Sequence, residues 1–324
     1  MVIELTVAIP TYNGQKRLPE VLDRLRDCCQ QDQLSWEVIV IDNNSTDGTA
    51  KLVEAYQANW PTQYPLRYCF EPKQGAAYAR CRAIQEATGE LVGFLDDDTI
   101  PSMSWIASAY AFGKSHPTSG AYGSQIHGVF EVTPPPNFDK LAPFLAITER
   151  GCEPLLYEPH KKLLPPSAGL VVRKQAWLES MPSRPILTGR TKSSMLTGED
   201  LEMLSRIQAK GWEIWYNPAM EIEHKIPSWR LRREYLIPFF RGIGLSRHVT
   251  RMLSVKPWLR PLATLAYMSN DLRKITFHWL KHGGSIQSDL IAACQMELFM
   301  SSLWSPFYLR KHGYFAEYDN YSNN

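Results

Sequence analysis

At residues 91–98 the chain reads Leu-Val-Gly-Phe-Leu-Asp-Asp-Asp, an apolar run that ends in three consecutive carboxylates. This pattern is typical of a buried strand that delivers negative charge to a crevice. Side chains two residues apart on an extended segment point to the same side, so Asp96 and Asp98 can converge on one site. Because adjacent carboxylates repel one another, we expect a hard cation here, Mg²⁺ or Mn²⁺, bound together with the phosphates of a nucleotide diphosphate. A solvated acidic turn is the alternative.

The composition is that of a globular protein. The chain has 324 residues, of which 44% are hydrophobic and 21% charged, enough for one large or two modest domains. We find neither the pattern of a secretory signal nor an apolar stretch of about 18 residues, and therefore expect a cytoplasmic protein. The six cysteines lack C-x-x-C spacing, which favours reduced, structural thiols.

The charge distribution is uneven although the net charge is only +2. Residues 225–260 contain nine lysines and arginines and one acidic residue, Glu234. A basic segment on an otherwise acidic chain indicates a polyanionic partner, either the phosphates of a substrate or an anionic membrane surface.

Strand patterns alternate with helix patterns along the first hundred residues. We predict strands at residues 3–10, 36–42, 66–71 and 91–96, and helices at residues 15–31, 47–58 and 75–87. This alternation indicates β-α-β crossovers and an α/β fold with a mostly parallel sheet. Ligands of such sheets bind at the carboxyl ends of the strands.

Polar residues follow three of the predicted strands, at residues 10–14, 42–49 and 96–98. Each group alone suits a turn or a helix cap, but their joint position at strand ends favours a shared ligand crevice. No G-x-x-x-x-G-K-[ST] and no G-x-G-x-x-G follows the first strand, which disfavours P-loop enzymes and dinucleotide-dependent oxidoreductases.

Four segments, taken together, resemble the signature blocks of family 2 glycosyltransferases. They are residues 7–13 (VAIPTYN), 38–49 (VIVIDNNSTDGT), 94–98 (FLDDD) and 198–200 (GED), and their order and spacing match too. The resemblance implies a GT-A catalytic domain at residues 1–225, with a Rossmann-like sheet flanked by helices, and leaves a helical C-terminal region at residues 226–324. It also implies an inverting transferase that uses a nucleotide sugar with Mn²⁺ or Mg²⁺.

The resemblance assigns roles to particular residues. Asp200 would be the catalytic base, although a carboxylate in the first turn of a helix also interacts favourably with the helix dipole. Asp98 and His224 would bind the metal, and a purely structural histidine is the alternative for His224. The donor-binding residues would be Pro10, Thr11, Tyr12, Asp42, Arg80, Asp96, Asp97, Gly169 and Glu199. Among these, Asp42 would accept a hydrogen bond from the base, Arg80 would lie near the acidic cluster or on a helix surface, and Asp97 would face away from the metal.

The function expected from the resemblance is transfer of a single sugar in polysaccharide biosynthesis. The donor would be a nucleotide-diphosphate sugar, with a UDP-sugar as the first choice, and the acceptor a glycan or a lipid-linked glycan; no nucleic acid is expected. The chain lacks the Gln-x-x-Arg-Trp block that the resemblance would require of a processive synthase. Two alternatives remain: a sugar-1-phosphate nucleotidylyltransferase, and a non-catalytic glycan-binding or scaffold subunit with the same fold.

The basic C-terminal region admits three interpretations. Its arginines recur at helical spacing with aromatic residues between them (Arg230, Arg233, Arg241, Arg251; Trp229, Tyr235, Phe239, Phe240, Trp258). They suit peripheral contact with the inner face of a membrane, a helix packed on the catalytic domain, or an arginine folded over the diphosphate. Residues 285–304 are predicted to form a packed amphipathic helix, which can also form a homodimer contact.

Overall fold

The computed structural model describes residues 3–29, 34–159, 163–182, 185–191 and 194–314. The chain forms two compact units. The first, here called the sheet unit, comprises Met1–Glu131, Ala142–Met181 and Arg206–Ile226. The second, the helical unit, comprises Val132–Leu141, Pro182–Ser205 and Pro227–Asn324. The helical unit thus includes two segments from within residues 1–225.

One mixed sheet organises the first unit. Its strands, in chain order, are β1 (Leu5–Thr11), β2 (Trp36–Asp42), β3 (Leu66–Phe70), β4 (Leu91–Phe94), β5 (Thr99–Pro101), β6 (Ser119–Phe130), β7 (Leu155–Leu156), β8 (Leu170–Arg173) and β9 (Glu213–Ile226). They are ordered β3-β2-β1-β4-β8-β6-β9-β5, with β7 also paired to β9.

The half of the sheet formed by β3, β2, β1 and β4 is parallel, as the alternating sequence pattern predicts. All seven residues of β2 are buried, which explains the nearly continuous apolar sequence of this strand. Because β1 lies between β2 and β4, the polar residues that follow these three strands emerge at the same edge of the sheet.

The other half is mixed, so the predicted parallel character holds only for the first four strands. Strand β8 is antiparallel to both β4 and β6, and β5 and β7 are antiparallel to β9. Strand β9 runs parallel to β6 along most of its length, with register shifts at two places. These pairings join residues far apart in the chain, which local periodicity does not encode.

Helices cover the sheet. They are α1 (Leu18–Cys28), α2 (Thr49–Ala58), α3 (Ala76–Glu86), α4 (Trp105–Ser115) and α5 (Lys174–Ser180). Helix α6 (Glu199–Ala209) spans the boundary between the units. In α1 the residues at three-and-four spacing are all buried, as the sequence predicts: Leu18, Val21, Leu22, Leu25 and Cys28.

Three long helices form most of the helical unit: α7 (Arg233–Met252), α8 (Arg260–His282) and α9 (Leu290–Lys311). Helix α7 packs on α9 so closely that a Cβ at Gly244 would lie 2.5 Å from Ser301 Cβ. Phe239 and Phe240 of α7 are buried. Within the described ranges, no helix has both the length and the apolar character needed to cross a membrane.

Candidate functional site

The loops that follow β1 and β2 are joined by hydrogen bonds. The backbone N–H groups of Asn13 and Gly14 donate to Ser45 Oγ and Thr49 Oγ1, each at 2.9 Å. In return, Asn13 Oδ1 accepts a 2.8 Å bond from the backbone N–H of Thr46. Asn13 has a φ of 51°, a left-handed conformation that asparagine tolerates better than most residues. The two loops therefore form one polar rim at the carboxyl edge of the sheet.

Asp42 ends β2 and is buried in this rim. Its Oδ1 accepts a 2.8 Å bond from the backbone N–H of Ser45, and its Oδ2 accepts one of 2.8 Å from Tyr68 Oη. Burial, followed by the hydrogen bond to Asp42, raises the pKa of Tyr68 well above its ordinary value, so Tyr68 stays a donor. These bonds fix the orientation of a carboxylate beside Thr11, its register partner in β1.

The acidic triplet follows the end of β4 at Phe94, two residues earlier than predicted, and forms a turn closed by Thr99 N–H donating to Asp96 O at 3.0 Å. The triplet is thus not one extended segment, and its three carboxylates contact different partners. Asp97 is buried and accepts from Arg17 Nε at 2.7 Å, Arg17 Nη2 at 2.9 Å and Thr11 Oγ1 at 2.5 Å. Burial raises the pKa of Asp97, while the bonds from Arg17 and Thr11 oppose the rise.

Asp96 lies near a buried arginine. Arg80 Nη2 is 3.9 Å from Asp96 Oδ1 and donates a 2.6 Å hydrogen bond to Ser167 Oγ. The Arg80 side chain is only 6% exposed, whereas that of Asp96 is 38% exposed. Arg80 is therefore not a surface residue of α3, and its charge lies next to a carboxylate that reaches solvent.

Asp98 is brought beside His224 by strand pairing. Thr99 of β5 is the register partner of His224 in β9, and the backbone N–H of Lys225 donates to Asp98 O at 2.9 Å. As a result Asp98 Oδ2 lies 3.7 Å from His224 Nε2, with the histidine almost completely buried. The sequence places these two residues 126 positions apart, and the pairing of β5 with β9 makes them neighbours.

Asp98 Oδ2 and His224 Nε2 lie 3.7 Å apart, close enough for both side chains to contact one ion. The described part of the chain contains no cluster of three His, Cys, Asp or Glu side chains suited to a metal. Two protein ligands fit a site whose other ligands are phosphate oxygens and water.

Gly169 precedes β8 and lies beside the end of β4, where its N–H donates to Phe94 O at 2.9 Å. Its φ of 68° is left-handed, and a Cβ there would lie 2.6 Å from Ser124 Oγ and 2.8 Å from Ile222 Cδ1. Glycine is therefore required by the backbone and by its close neighbours.

Glu199 and Asp200 form the first turn of α6 and belong to the helical unit. Asp200 Oδ1 accepts a 2.8 Å bond from the backbone N–H of Leu201. In the same turn, the fully buried Glu202 accepts bonds from the N–H groups of Ile186 and Leu187, which anchors this end of the helix. The catalytic role of Asp200 and the donor contact of Glu199 stay predictions.

Several residues that organise the site were not among the predicted ones. Arg17 holds Asp97, Tyr68 holds Asp42, and Ser167 holds Arg80. Asn43 Oδ1 accepts from Gly75 N–H at 2.8 Å, while its Nδ2 donates to Lys73 O at 2.6 Å, which fixes the turn before α3. The sequence gives only a weak signal for them, since each looks like an ordinary helix, strand or turn residue in isolation.

Comparison with known proteins finds a family model that matches the N-terminal part of the chain. Residues 6–154 match the family model Glycosyl transferase family 2. This N-terminal part of the chain is thus similar to glycosyl transferase family 2, and three of the four sequence segments lie within it.

Two relatives illustrate the match. The chain is 32% identical over 95 residues to the undecaprenyl-phosphate 4-deoxy-4-formamido-L-arabinose transferase of Proteus mirabilis, which covers 29% of this chain and 29% of that protein. It is 31% identical over 116 residues to the poly(ribitol-phosphate) beta-N-acetylglucosaminyltransferase TarS of Staphylococcus aureus, covering 35% of this chain and 19% of TarS. The chain spans between 19% and 35% of the length of the curated relatives it matches.

Solved structures share the fold. The mannosyltransferase PcManGT of Pyrobaculum calidifontis, in complex with GDP-Man and Mn²⁺, superposes with a TM-score of 0.53 at 20% identity, covering 93% of this chain and 87% of that one. Residues 1–349 of S. aureus TarS with UDP-GlcNAc give 0.51 at 18% identity, covering 96% and 92%. The α/β architecture of the chain is thus of the GT-A type.

Proposed function

We propose that this chain is an inverting, metal-dependent glycosyltransferase that moves one sugar from a nucleotide-diphosphate sugar to a glycan or lipid-linked acceptor in polysaccharide biosynthesis. The observation that carries the proposal is the carboxyl edge of β1, β2 and β4, where a rigid polar rim adjoins the Asp98–His224 pair. A nucleotide needs polar groups for its base and ribose, and its diphosphate needs positive charge, both of which this edge can supply.

The nucleoside would bind along the joined loops after β1 and β2. Pro10, Thr11 and Tyr12 would line the base, and Asp42, held by Ser45 and Tyr68, would accept from a base N–H. A UDP-sugar is the first donor to test, because uracil carries one such N–H. PcManGT was solved with GDP-Man and TarS with UDP-GlcNAc, so guanine and uracil donors both belong in the test.

Asp98 and His224 would hold Mn²⁺ or Mg²⁺. The ion would act as a Lewis acid that stabilises negative charge on the leaving diphosphate. Buried Arg80 would add positive charge near Asp96. The Asp96 side chain, which is partly exposed, would contact the ribose or the ion. Gly169 would let the sugar approach the sheet, since no side chain projects from that position.

Asp200 would act as the base. As the acceptor oxygen attacks the anomeric carbon from the face opposite the diphosphate, its proton passes to the Asp200 carboxylate. The bond between the anomeric carbon and the phosphate oxygen breaks, and its electron pair leaves with the nucleoside diphosphate. One displacement of this kind inverts the configuration at the anomeric carbon.

The test is release of nucleoside diphosphate from a panel of UDP- and GDP-sugars with Mn²⁺ or Mg²⁺ and candidate glycan acceptors. Asp98→Asn and Asp200→Asn should each lower turnover at least about a hundredfold, since each removes a group used in the transition state. Asp139→Asn, at an exposed residue of the helical unit, is the matched control and should retain turnover.

Measurement of donor binding separates the proposed metal-binding role of Asp98 from the proposed role of Asp200 as the base. Mn²⁺ plus the correct donor should raise the melting temperature of the wild type and of Asp200→Asn, but much less that of Asp98→Asn. Turnover that survives both substitutions would refute the site assignment. Pyrophosphate release from a nucleoside triphosphate and a sugar phosphate would instead establish the nucleotidylyltransferase alternative, and glycan binding without nucleotide binding the non-catalytic one.

A further inference from the structure

Helix α8 exposes several large apolar side chains on one face. Six of its large apolar side chains are each more than half exposed: Leu262, Leu265, Leu272, Phe277, Trp279 and Leu280. At about 100° per residue they fall within an arc of about 160° on one side of the helix, an arc that also includes the exposed Ser269, Arg273 and Thr276. Trp258, in the short 3-10 helix immediately before α8, is 74% exposed. Apolar surface of this extent on a folded protein usually marks an interaction site.

The opposite face of α8 is firmly anchored, so the exposed face has a fixed orientation within the helical unit. Asp271 is fully buried and accepts bonds of 2.5 and 2.8 Å from Arg251 of α7. The Arg251 guanidinium also lies 4.9 Å from the centre of the Tyr267 ring. Further along, His278 Nε2 lies 2.9 Å from Ala292 O of α9. The apolar face is therefore not the side by which α8 packs on its neighbours.

Basic residues accompany this face. Lys256, Arg273 and Lys281 are exposed. The sequence from residue 253 to residue 288 contains a single acidic residue, the buried Asp271. Arg273 lies within the apolar arc and Lys281 lies beside it. Helices that lie in the interface of anionic membranes combine leucine, phenylalanine and tryptophan on one side with lysine and arginine in this way.

The charge also argues against a second copy of this chain as the occupant. A twofold dimer formed through this face would place the face against itself, and the exposed charged residues of α8 that both copies bring to it, Arg273 and Lys281, are basic. Like charges opposed in this way weaken association, and protein interfaces are generally depleted of lysine. An anionic lipid surface has complementary charge and accepts the apolar side chains.

We propose that Trp258 and the exposed face of α8 bind the surface of an anionic membrane, with α8 lying in the plane of the headgroups. The leucine, phenylalanine and tryptophan side chains enter the acyl boundary, while Lys256, Arg273 and Lys281 contact lipid phosphates. The inference deepens the proposed function in one respect: a lipid-linked acceptor would lie in the same surface to which the helical unit binds.

The experiment is flotation of the full chain with vesicles of phosphatidylcholine containing phosphatidylglycerol, and with vesicles of phosphatidylcholine alone. The wild type should float with the anionic vesicles, less with the neutral ones, and less again as salt rises. Leu265→Glu combined with Leu272→Glu should lower partitioning at least about tenfold. Leu178→Glu, at a leucine of α5 that is 62% exposed, is the control and should bind like the wild type.

A second readout does not depend on variants with added charge. Brominated acyl chains quench tryptophans that enter the membrane, and Trp258→Phe combined with Trp279→Phe should remove most of this quenching while binding persists. Failure of the wild type to bind anionic vesicles, or equal binding by the double glutamate variant, would overturn the proposal. So would light scattering that shows a wild-type dimer dissociated by the same two glutamates.

Membrane binding and sugar transfer can fail separately in these experiments. The double glutamate variant should keep the melting-temperature increase that Mn²⁺ and a nucleotide sugar produce, because its substitutions lie in the helical unit. If no nucleotide sugar binds any variant while vesicle binding persists, the glycosyltransferase proposal is wrong and the membrane face stands.

Discussion

Asp97 occupies the middle of the acidic triplet, but its carboxylate is fully engaged by Arg17 and Thr11. The bidentate contact with Arg17 joins the turn after β4 to the residue immediately before α1. Thr11 connects the same carboxylate to the end of β1. The pair also raises the pKa of Arg17, chiefly through its hydrogen bond to Asp97. Asp97 therefore holds two loops together, whereas Asp96 and Asp98 are more exposed.

A double-mutant cycle measures this role. Asp97→Asn should lower the free energy of unfolding by about 1–2 kcal/mol, because the partly exposed Arg17 can regain water after losing its partner. Arg17→Met in the Asp97→Asn background should add little, which gives a coupling energy of about 1 kcal/mol in urea denaturation. Additive effects would contradict the pairing, and a loss of donor affinity at unchanged stability would indicate that Asp97 contacts the donor directly.

At the same scale, the sequence indicates some site residues and not others. Asp42 and the triplet are recognisable because polar residues directly after apolar strands are typical of a ligand crevice at the edge of a parallel sheet. Arg17 is not recognisable as a site residue from the sequence, since a basic residue before a helix is common on protein surfaces. Its pairing with Asp97 depends on β1 lying beside β4, and this neighbour relation is a property of the assembled sheet.

Strand β8 lies next to β4, the strand that precedes the acidic triplet. It inserts antiparallel between β4 and β6, and Gly169 at its start accepts a 2.6 Å bond from Ser124 Oγ through its carbonyl oxygen. The alternation of strand and helix patterns predicts β1 to β4, because local periodicity encodes each of these units. The insertion of β8 pairs segments distant in sequence, so it could not be predicted in the same way.

Substitution of Gly169 by alanine tests this close approach. Gly169→Ala should lower the free energy of unfolding by about 2 kcal/mol or more, because the new Cβ meets Ser124 and Ile222 in a left-handed backbone conformation. Gly284→Ala, where no atom lies within 4 Å of the added Cβ, should change it by less than about 0.5 kcal/mol. Equal melting temperatures for the two variants would show that β8 can shift to accommodate the methyl group.

Helix α7 illustrates how one sequence pattern suits more than one interpretation. Its interleaved aromatic residues are compatible with a membrane surface, but Phe239 and Phe240 are buried within the helical unit. Two of its arginines are paired, Arg241 with Glu297 and Arg251 with Asp271. Six large exposed apolar side chains belong to α8, which lies mostly outside the segment of high positive charge.

The stability of the whole protein should depend on a buried histidine. His248 of α7 is buried, and this burial, with the nearby charges of Arg251 and Arg260, lowers its pKa from 6.5 to about 4. Between about pH 4 and 6.5 the unfolded chain therefore binds a proton at this residue that the folded chain does not. Its contribution is fully present above about pH 6.5 and is lost as the pH falls towards 4.

Replacement of His248 should flatten this dependence. Between pH 6.5 and about 4 the wild type should lose up to about 3 kcal/mol through this residue, and His248→Gln should not. Urea denaturation across this window provides the measurement. His312→Gln, at an exposed histidine just beyond α9, should keep the wild-type slope. Identical slopes for the wild type and His248→Gln would mean that folding does not lower the pKa of His248.

The hydrogen bonds between the loops after β1 and β2 affect how donor preference can change. Asn13 and Gly14 are matched to Ser45, Thr46 and Thr49, so neither loop keeps its shape without the other. A chimera in which only one of these loops comes from a relative that binds a different nucleotide would leave polar groups without hydrogen-bond partners between the two loops. Exchange of specificity, in the laboratory or in evolution, requires that both loops be transplanted together.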